Sequence, residues 1–254
     1  MSAATHDLPP LVLALLRRAD DALVLGHRLS EWCGRAPMPE EDLALANLAL
    51  DQIGLARALF AEIGARTGQT EDELAYFRTD RAFRNCLLVE QENGDFAHTI
   101  VRQVLYSAYA DSFWRAAAAS AEPALAAVAG KAEKESAYHL RHAAEWLVRL
   151  GDGTEESHAR AQAALDALWP YSGEMFETDA PEASLVAAGV LPDPAPLRAA
   201  WTGTVERIMT RATLARPADG WMQTGGRQGL HGEVLGTMLA EMQSLARAHP
   251  GAAW

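Results

Sequence analysis

Cysteine is scarce in this chain, with only Cys33 and Cys86, far apart and outside any Cys-x-x-Cys spacing. Neither a disulfide framework nor a cysteine-built zinc site is expected, and two isolated thiols suit a reducing cytoplasm. Positive charge is short as well: 22 Lys and Arg face 34 Asp and Glu, for a formal net charge of −12. Phosphate backbones and acidic membranes select basic surfaces, so neither nucleic acid nor membrane is expected as a partner. The N-terminal stretch "MSAATHDLPPLVLALLRRADDALVL" has only a short apolar run. Asp7 precedes that run and Arg17, Arg18, Asp20 and Asp21 interrupt it, which reads as an amphipathic first helix rather than an export signal or a span. Gly-x-Ser-x-Gly, the phosphate-binding Gly-x-x-x-x-Gly-Lys and His-Glu-x-x-His are all missing.

Alanine and leucine dominate, and β-branched residues are comparatively few, so the chain reads as all-α. Long helices are predicted from about Pro9 to Trp32, over "EEDLALANLALDQIGLARALFAEIG", over "FAHTIVRQVLYSAYADSFWRAAAAS" and over "ALAAVAGKAEKESAYHLRHAAEWLVRL". The second is apolar on nearly every side up to Arg57, the pattern of a helix buried among neighbours. A short helix is expected near residues 71–77. The link "RNCLLVEQENGD" is irregular, with "LLV" a brief extended candidate. Further helices are expected over "EESHARAQAALDALWPYSGEMF", kinked at Pro170, from about Leu197 to Leu214, and over "EVLGTMLAEMQSLARAH". Short links inside each helix pair and a longer second-to-third crossover describe a ferritin-like bundle. One domain over 1–254 is expected, its core bundle about 9–151 and a C-terminal helical extension about 153–254.

Such bundles hold two irons with one carboxylate on each of two helices and Glu-x-x-His on the other two. In "KAEKESAYHLRHAAEWL", Glu135, Tyr138, His139, His142 and Trp146 share one helical face, but the histidine follows Glu135 by four positions and Tyr138 stands at the third. On the second helix Asp51, one turn after Asn47, is followed three positions on by Gly54. The third helix has no Asp or Glu between Asp95 and Asp111, and His98 and Arg102, one turn apart, suit an ion pair or a partner contact as well as chemistry. On the first helix Arg17, Asp20, Asp21, His27, Arg28 and Glu31 fall within about a third of the circumference, the pattern of a solvated polar face. Glu133 falls near the middle of the apolar face of its helix, with no reason visible in the sequence. The ligand set is incomplete. No catalytic and no metal residue is expected, and Asn47, Asp51, Glu135, Tyr138 and His139 read as a vestigial site, with Asn47, Asp51, Glu135 and His139 forming hydrogen bonds or ion pairs inside the bundle. In "TGGRQGLH" a glycine-rich turn into the last helix is expected, and Arg227 is the one weak candidate for holding a substrate anion.

Five stretches carry a resemblance that runs through almost the whole chain: "LVLGHRLSEWCGRAP", "DLALANLALDQIGLAR", "LLVEQENGDFAHTIVRQ", "KESAYHLRHAAEWLVRLGDGT" and "TGGRQGLHGEVLGTMLAEMQSLARAHPGAAW". The chain resembles the C-subunit family, PaaC type, of the ring-1,2-phenylacetyl-CoA epoxidases, also called phenylacetate-CoA oxygenases. The region from about 155 to 200 contributes little to the likeness. The resemblance implies a cytoplasmic, ferritin-like structural subunit without a cofactor of its own. It implies hetero-oligomeric assembly with a catalytic A subunit that carries the di-iron centre, and with the other epoxidase subunits and a reductase. That reductase would supply electrons from NADPH through flavin and iron–sulfur groups. Two alternatives stand beside this reading. One is an independent di-iron oxidase or oxygenase using Asp20, Asp51, Asp111, Glu135 and His139. The other is a CoA-thioester-binding module centred on "GGRQG".

Overall fold

The helix starts are written in the sequence as prolines and short polar caps. The computed structural model describes residues 8–252, which form ten α-helices and no strand; Asp7 and the closing Trp254 of the sequence reading lie outside the described residues. Helix α1 (Pro10–Ser30) and α2 (Pro39–Thr67) both begin with proline in the first turn, where the missing N–H costs nothing. Acidic Glu40, Glu41 and Asp42 complement the α2 N-terminus, and Gly68 closes it at φ 77°, a left-handed conformation that favours glycine. Helix α3 (Glu71–Tyr76) opens on a capping box between Thr70 and Glu73. The side chain of Asp95 accepts from the backbone N–H of His98 at 2.8 Å to start α5 (Phe96–Ala117), and α6 (Pro123–Gly151) follows after a tight turn.

Helices α1 and α2 pack as one hairpin, α5 and α6 as a second, and α2 meets α6 to close the four-helix bundle, the ferritin-like arrangement expected from the sequence. Beyond α6 lie α7 (Glu155–Leu168), α8 (Ala180–Ala187), α9 (Pro194–Arg211) and α10 (Glu233–Ala248). Helices α7 and α9 pack on α5 and α6, α8 packs on α1, and α10 reaches α3. The extension therefore covers the α1 and α5 side of the bundle, and α5 is buried nearly all round.

Several expectations are corrected. The "LLV" stretch is a helical turn, α4 (Leu87–Glu90), not an extended segment. Pro170 does more than kink its helix: α7 stops at Leu168 and the chain continues as two 3₁₀ turns, Trp169–Tyr171 and Gly173–Phe176. Helix α8 escaped the sequence reading, and α9 starts three residues early because Pro194 and Pro196 sit in its first turn behind the Asp193 cap. Helix α2 is not buried on every side, since Leu43 and Leu50 are exposed. Tyr109 and Trp114 are core residues, and Trp32 and Trp146 stack edge-on against Phe96.

Candidate functional site

Where α2 crosses α6, two of the expected polar residues meet. His139, 2 % exposed, places Nε2 3.0 Å from Asp51 Oδ2 and Nδ1 3.2 Å from Gln52 Nε2. A carboxylate accepts and an amide nitrogen donates, so the ring is fixed as the Nε2–H tautomer with Nδ1 accepting. One turn on, His142 Nε2 lies 2.9 Å from Glu41 Oε2, joining the same two helices near the α2 N-terminus. Histidine–acid contacts between two helices look like half of a metal site, yet both His139 nitrogens are occupied by protein atoms. Gln52, which sequence reasoning passed over, occupies the second ring nitrogen.

The other members of the expected set do not converge there. Asn47 is exposed on the outer side of α2, a correction to its placement inside the bundle. Asp51 is one turn further along and its side chain keeps 36 % exposure. Glu135 does not reach Asp51; it pairs along its own helix with Lys131 at 3.3 Å. Tyr138 is 44 % exposed, with its ring beside His142 and under Arg141. Glu133 has an explanation in three dimensions, since it faces Arg115 of α5 at 3.6 Å across the tight hairpin. Among the described residues no three His, Cys, Asp or Glu side chains group so as to hold a metal ion. The donor set does not fit a di-iron centre. In the bundle interior the amide of Gln103 on α5 and Oε1 of Gln52 have no hydrogen-bond partner among the described residues.

The strongest electrostatics lie on α1. From Arg17 to Arg28 its polar face is largely buried, not solvated, because the extension and the 78–93 link cover it with complementary charge. Asp21 receives the Arg227 guanidinium at 2.9 and 2.8 Å and the backbone N–H of Cys86 at 2.7 Å. Asp20 is held by both terminal nitrogens of Arg78 and by the backbone N–H of Arg84 at 2.8 Å. Arg17 reaches Asp179 and Glu182, and Arg18 reaches Glu182, both acids belonging to α8 or its cap. Burial raises the Glu182 and Asp179 carboxyls, but the arginines outweigh it and hold both below the usual range.

Arg227 also donates to the carbonyls of Arg17 and Arg84 and is buried, so it is not open to a substrate anion, and the reading of its loop as an anion site is corrected. The loop is pinned instead by Glu174, which accepts from the backbone N–H groups of Gly225, Arg227 and Leu87. His231 completes the clasp, with Nδ1 2.7 Å from Glu90 and Nε2 3.1 Å from the Phe83 carbonyl oxygen. Both partners accept, so the ring donates through both nitrogens as an imidazolium. Arg102 is fully buried and, with no carboxylate in contact, donates to the Gln91 carbonyl at 2.5 Å and to Asn93 Oδ1 at 2.7 Å. Burial, aided by the like charge of Arg28, pushes its ionisation down to about 9. It orders the 91–93 link, which the one-turn spacing to His98 did not reveal.

Buried charge is thus spent on joining α1, the 78–93 link, α8 and the 225–232 loop, while the α2–α6 crossing holds a closed histidine network. In both arrangements the polar side chains are turned mainly on protein partners. Comparison with known proteins matches residues 2–254 to the family described as "Phenylacetic acid catabolic protein". The C subunit of the 1,2-phenylacetyl-CoA epoxidase of Escherichia coli (strain K12) is 46 % identical over 240 residues, covering 94 % of this chain and 97 % of that protein.

Proposed function

Because the chain belongs to the phenylacetic acid catabolic protein family, we propose that it is a supporting, non-catalytic subunit of a phenylacetyl-CoA epoxidase, assembled with a related di-iron subunit that performs the oxygen chemistry. The carrying observation is the α2–α6 crossing. A bundle built to coordinate iron needs free imidazole and carboxylate lone pairs pointing at one place. Here His139 is held by Asp51 and Gln52, Gly54 has no side chain, Tyr138 points outward and Glu135 pairs with Lys131. Asn47, Asp51, Glu135, Tyr138 and His139 are the remains of ligand positions, rewired into structure or left on the surface.

What the chain offers the complex is a rigid partner. Its extension is riveted to the bundle by buried ion pairs, each of which fixes one geometry although its net contribution to stability is small. The NADPH, flavin and iron–sulfur chemistry belongs, in this reading, to a separate reductase subunit. A CoA-thioester-binding role loses its centre, since Arg227 is consumed by Asp21. An independent di-iron oxidase would have to assemble Asp20, Asp51, Asp111, Glu135 and His139. Asp20 is locked to Arg78, and Asp111 pairs with Arg115 along α5.

Purification from iron-supplemented cells tests the proposal. Elemental analysis is expected to give well under one iron per chain, and co-expression with the A-type subunit to give one co-eluting species. Close to two irons per chain with a carboxylate-bridged spectrum would overturn it.

A further inference from the structure

The middle of the bundle holds polar groups that the fold leaves without partners. Gln103 on α5 is 1 % exposed and Gln52 on α2 is 4 % exposed. Both amide atoms of Gln103, and Oε1 of Gln52, are closed to bulk solvent and have no hydrogen-bond partner among the described residues. Buried polar groups are nearly always paired, either with protein or with ordered water. The apolar side chains around them supply neither donor nor acceptor.

Helix register brings the two glutamines to one level. Helices α5 and α6 form a tight antiparallel hairpin, and the rings of Phe96 and Trp146 meet across it at 5.1 Å. Two helical turns, about seven residues, return a helix to nearly the same face. Two turns on from Phe96 stands Gln103, and two turns back from Trp146 stands His139, so both face one seam at one height. His139 Nδ1 in turn lies 3.2 Å from Gln52 Nε2. Helix α1 reaches the same layer, since a side chain at Gly26 would begin 3.3 Å from Cβ of Gln52, and Trp32 further along α1 packs on Phe96.

The unpaired atoms define what fits between them. Gln103 Nε2 only donates, whereas Gln103 Oε1 and Gln52 Oε1 only accept. A cation would face the N–H group, and an anion would face two carbonyl oxygens. Water meets all three atoms, accepting one bond and donating two, and an internal water typically makes about three. We infer that a water molecule is bound inside the bundle between Gln103 and Gln52. It completes a hydrogen-bonded chain that starts at the partly exposed Asp51 carboxylate and runs through His139 and Gln52 to Gln103. The chain ties α2, α6 and α5 together across the core. Because water accepts as readily as it donates, it serves Gln52 in either orientation of its amide. The inference stands apart from the subunit reading and holds for the chain alone.

Three measurements on the full chain test it. A crystal structure of the wild type is expected to show a solvent peak within about 3.2 Å of both the Gln103 and the Gln52 amides. In the nitrogen-15-labelled protein, the Gln103 side-chain amide protons are expected to show a nuclear Overhauser effect to a long-lived water. Oxygen-17 relaxation dispersion counts internal waters, and Gln103→Leu, which removes the amide at similar volume, is expected to hold at least one fewer than the wild type. Where that variant does not fold, the two wild-type measurements decide. A Gln103 amide bonded directly to protein with no solvent peak overturns the inference, as do equal water counts in the wild type and the folded variant. A peak held by contacts near about 2.1 Å is a metal ion and overturns it as well.

Discussion

Arg227→Met offers the sharpest probe of how the extension is held. The guanidinium makes two bonds to Asp21 and two more to the carbonyls of Arg17 and Arg84, all at 2.8–3.2 Å and all buried. Methionine fills similar volume but leaves Asp21 as a buried carboxylate whose remaining partner is the backbone N–H of Cys86. Breaking one side of a buried ion pair costs about 3–5 kcal/mol, most of it the stranded charge rather than the lost attraction. At about 2–4 °C per kcal/mol for a chain of this size, the melting temperature is expected to fall on the order of 10 °C. Asp21→Leu/Arg227→Met removes the stranded charge with its partner, so the double variant is expected to recover at least half of that loss. Urea denaturation of the wild type, both single variants and the double variant closes the cycle. A single-variant loss below about 1 kcal/mol, or a double variant as unstable as the sum of the singles, would refute the claim that this pair is a desolvated clasp.

Burial lowers the His231 imidazole, but the hydrogen bond and charge of Glu90 outweigh it and hold the ring above its usual value. The clasp is therefore fully formed below the unfolded value of about 6.5 and weakens as pH rises through the folded one. The stability gap between wild type and His231→Gln, measured by melting at several pH values, is expected to shrink with rising pH; a gap that widens contradicts the doubly donating ring. Burial pushes the Cys86 thiol well up, whereas Cys33 is exposed. A thiol reagent is accordingly expected to titrate one cysteine per native chain and two in denaturant. Gly229 sits at φ 80° with the Arg81 carbonyl where a side chain would begin, so Gly229→Ala is expected to cost about 2 kcal/mol by denaturant titration. A neutral substitution there would show that the loop yields.

The bundle was legible because its signals are local: proline and acids at helix starts, glycine at ends, and apolar periodicity between them. Helices α2, α5, α6 and α10 fall within a few residues of their predicted ranges. Polar residues were harder, because their meaning depends on what covers them. Arg17, Asp20, Asp21 and Arg28 form a polar stripe that reads as solvated when α1 is considered alone. Their partners Arg78, Asp179, Glu182 and Arg227 lie 58 to 206 residues away, and no periodicity announces such a distance. The reverse error befell α2, whose continuous apolarity reads as burial within the chain although one face stays open. At the crossing of α2 and α6 the pairing of Asp51 with His139 needed only the bundle register. Gln52 was missed because glutamine is not a typical metal-ligand type and nothing in its spacing marks it as a partner of His139.

The central question is whether this chain supports chemistry without performing it. The most direct measurement is phenylacetyl-CoA epoxidation by the A-type subunit with its reductase and NADPH, assayed with and without stoichiometric addition of this chain. Turnover is expected to be lost without the chain, to return on its addition, and to be unchanged when the added chain carries Asp51→Asn and His139→Gln in folded form. Full activity of the A subunit alone, or loss of turnover on altering those two residues while the complex still forms, would contradict the account.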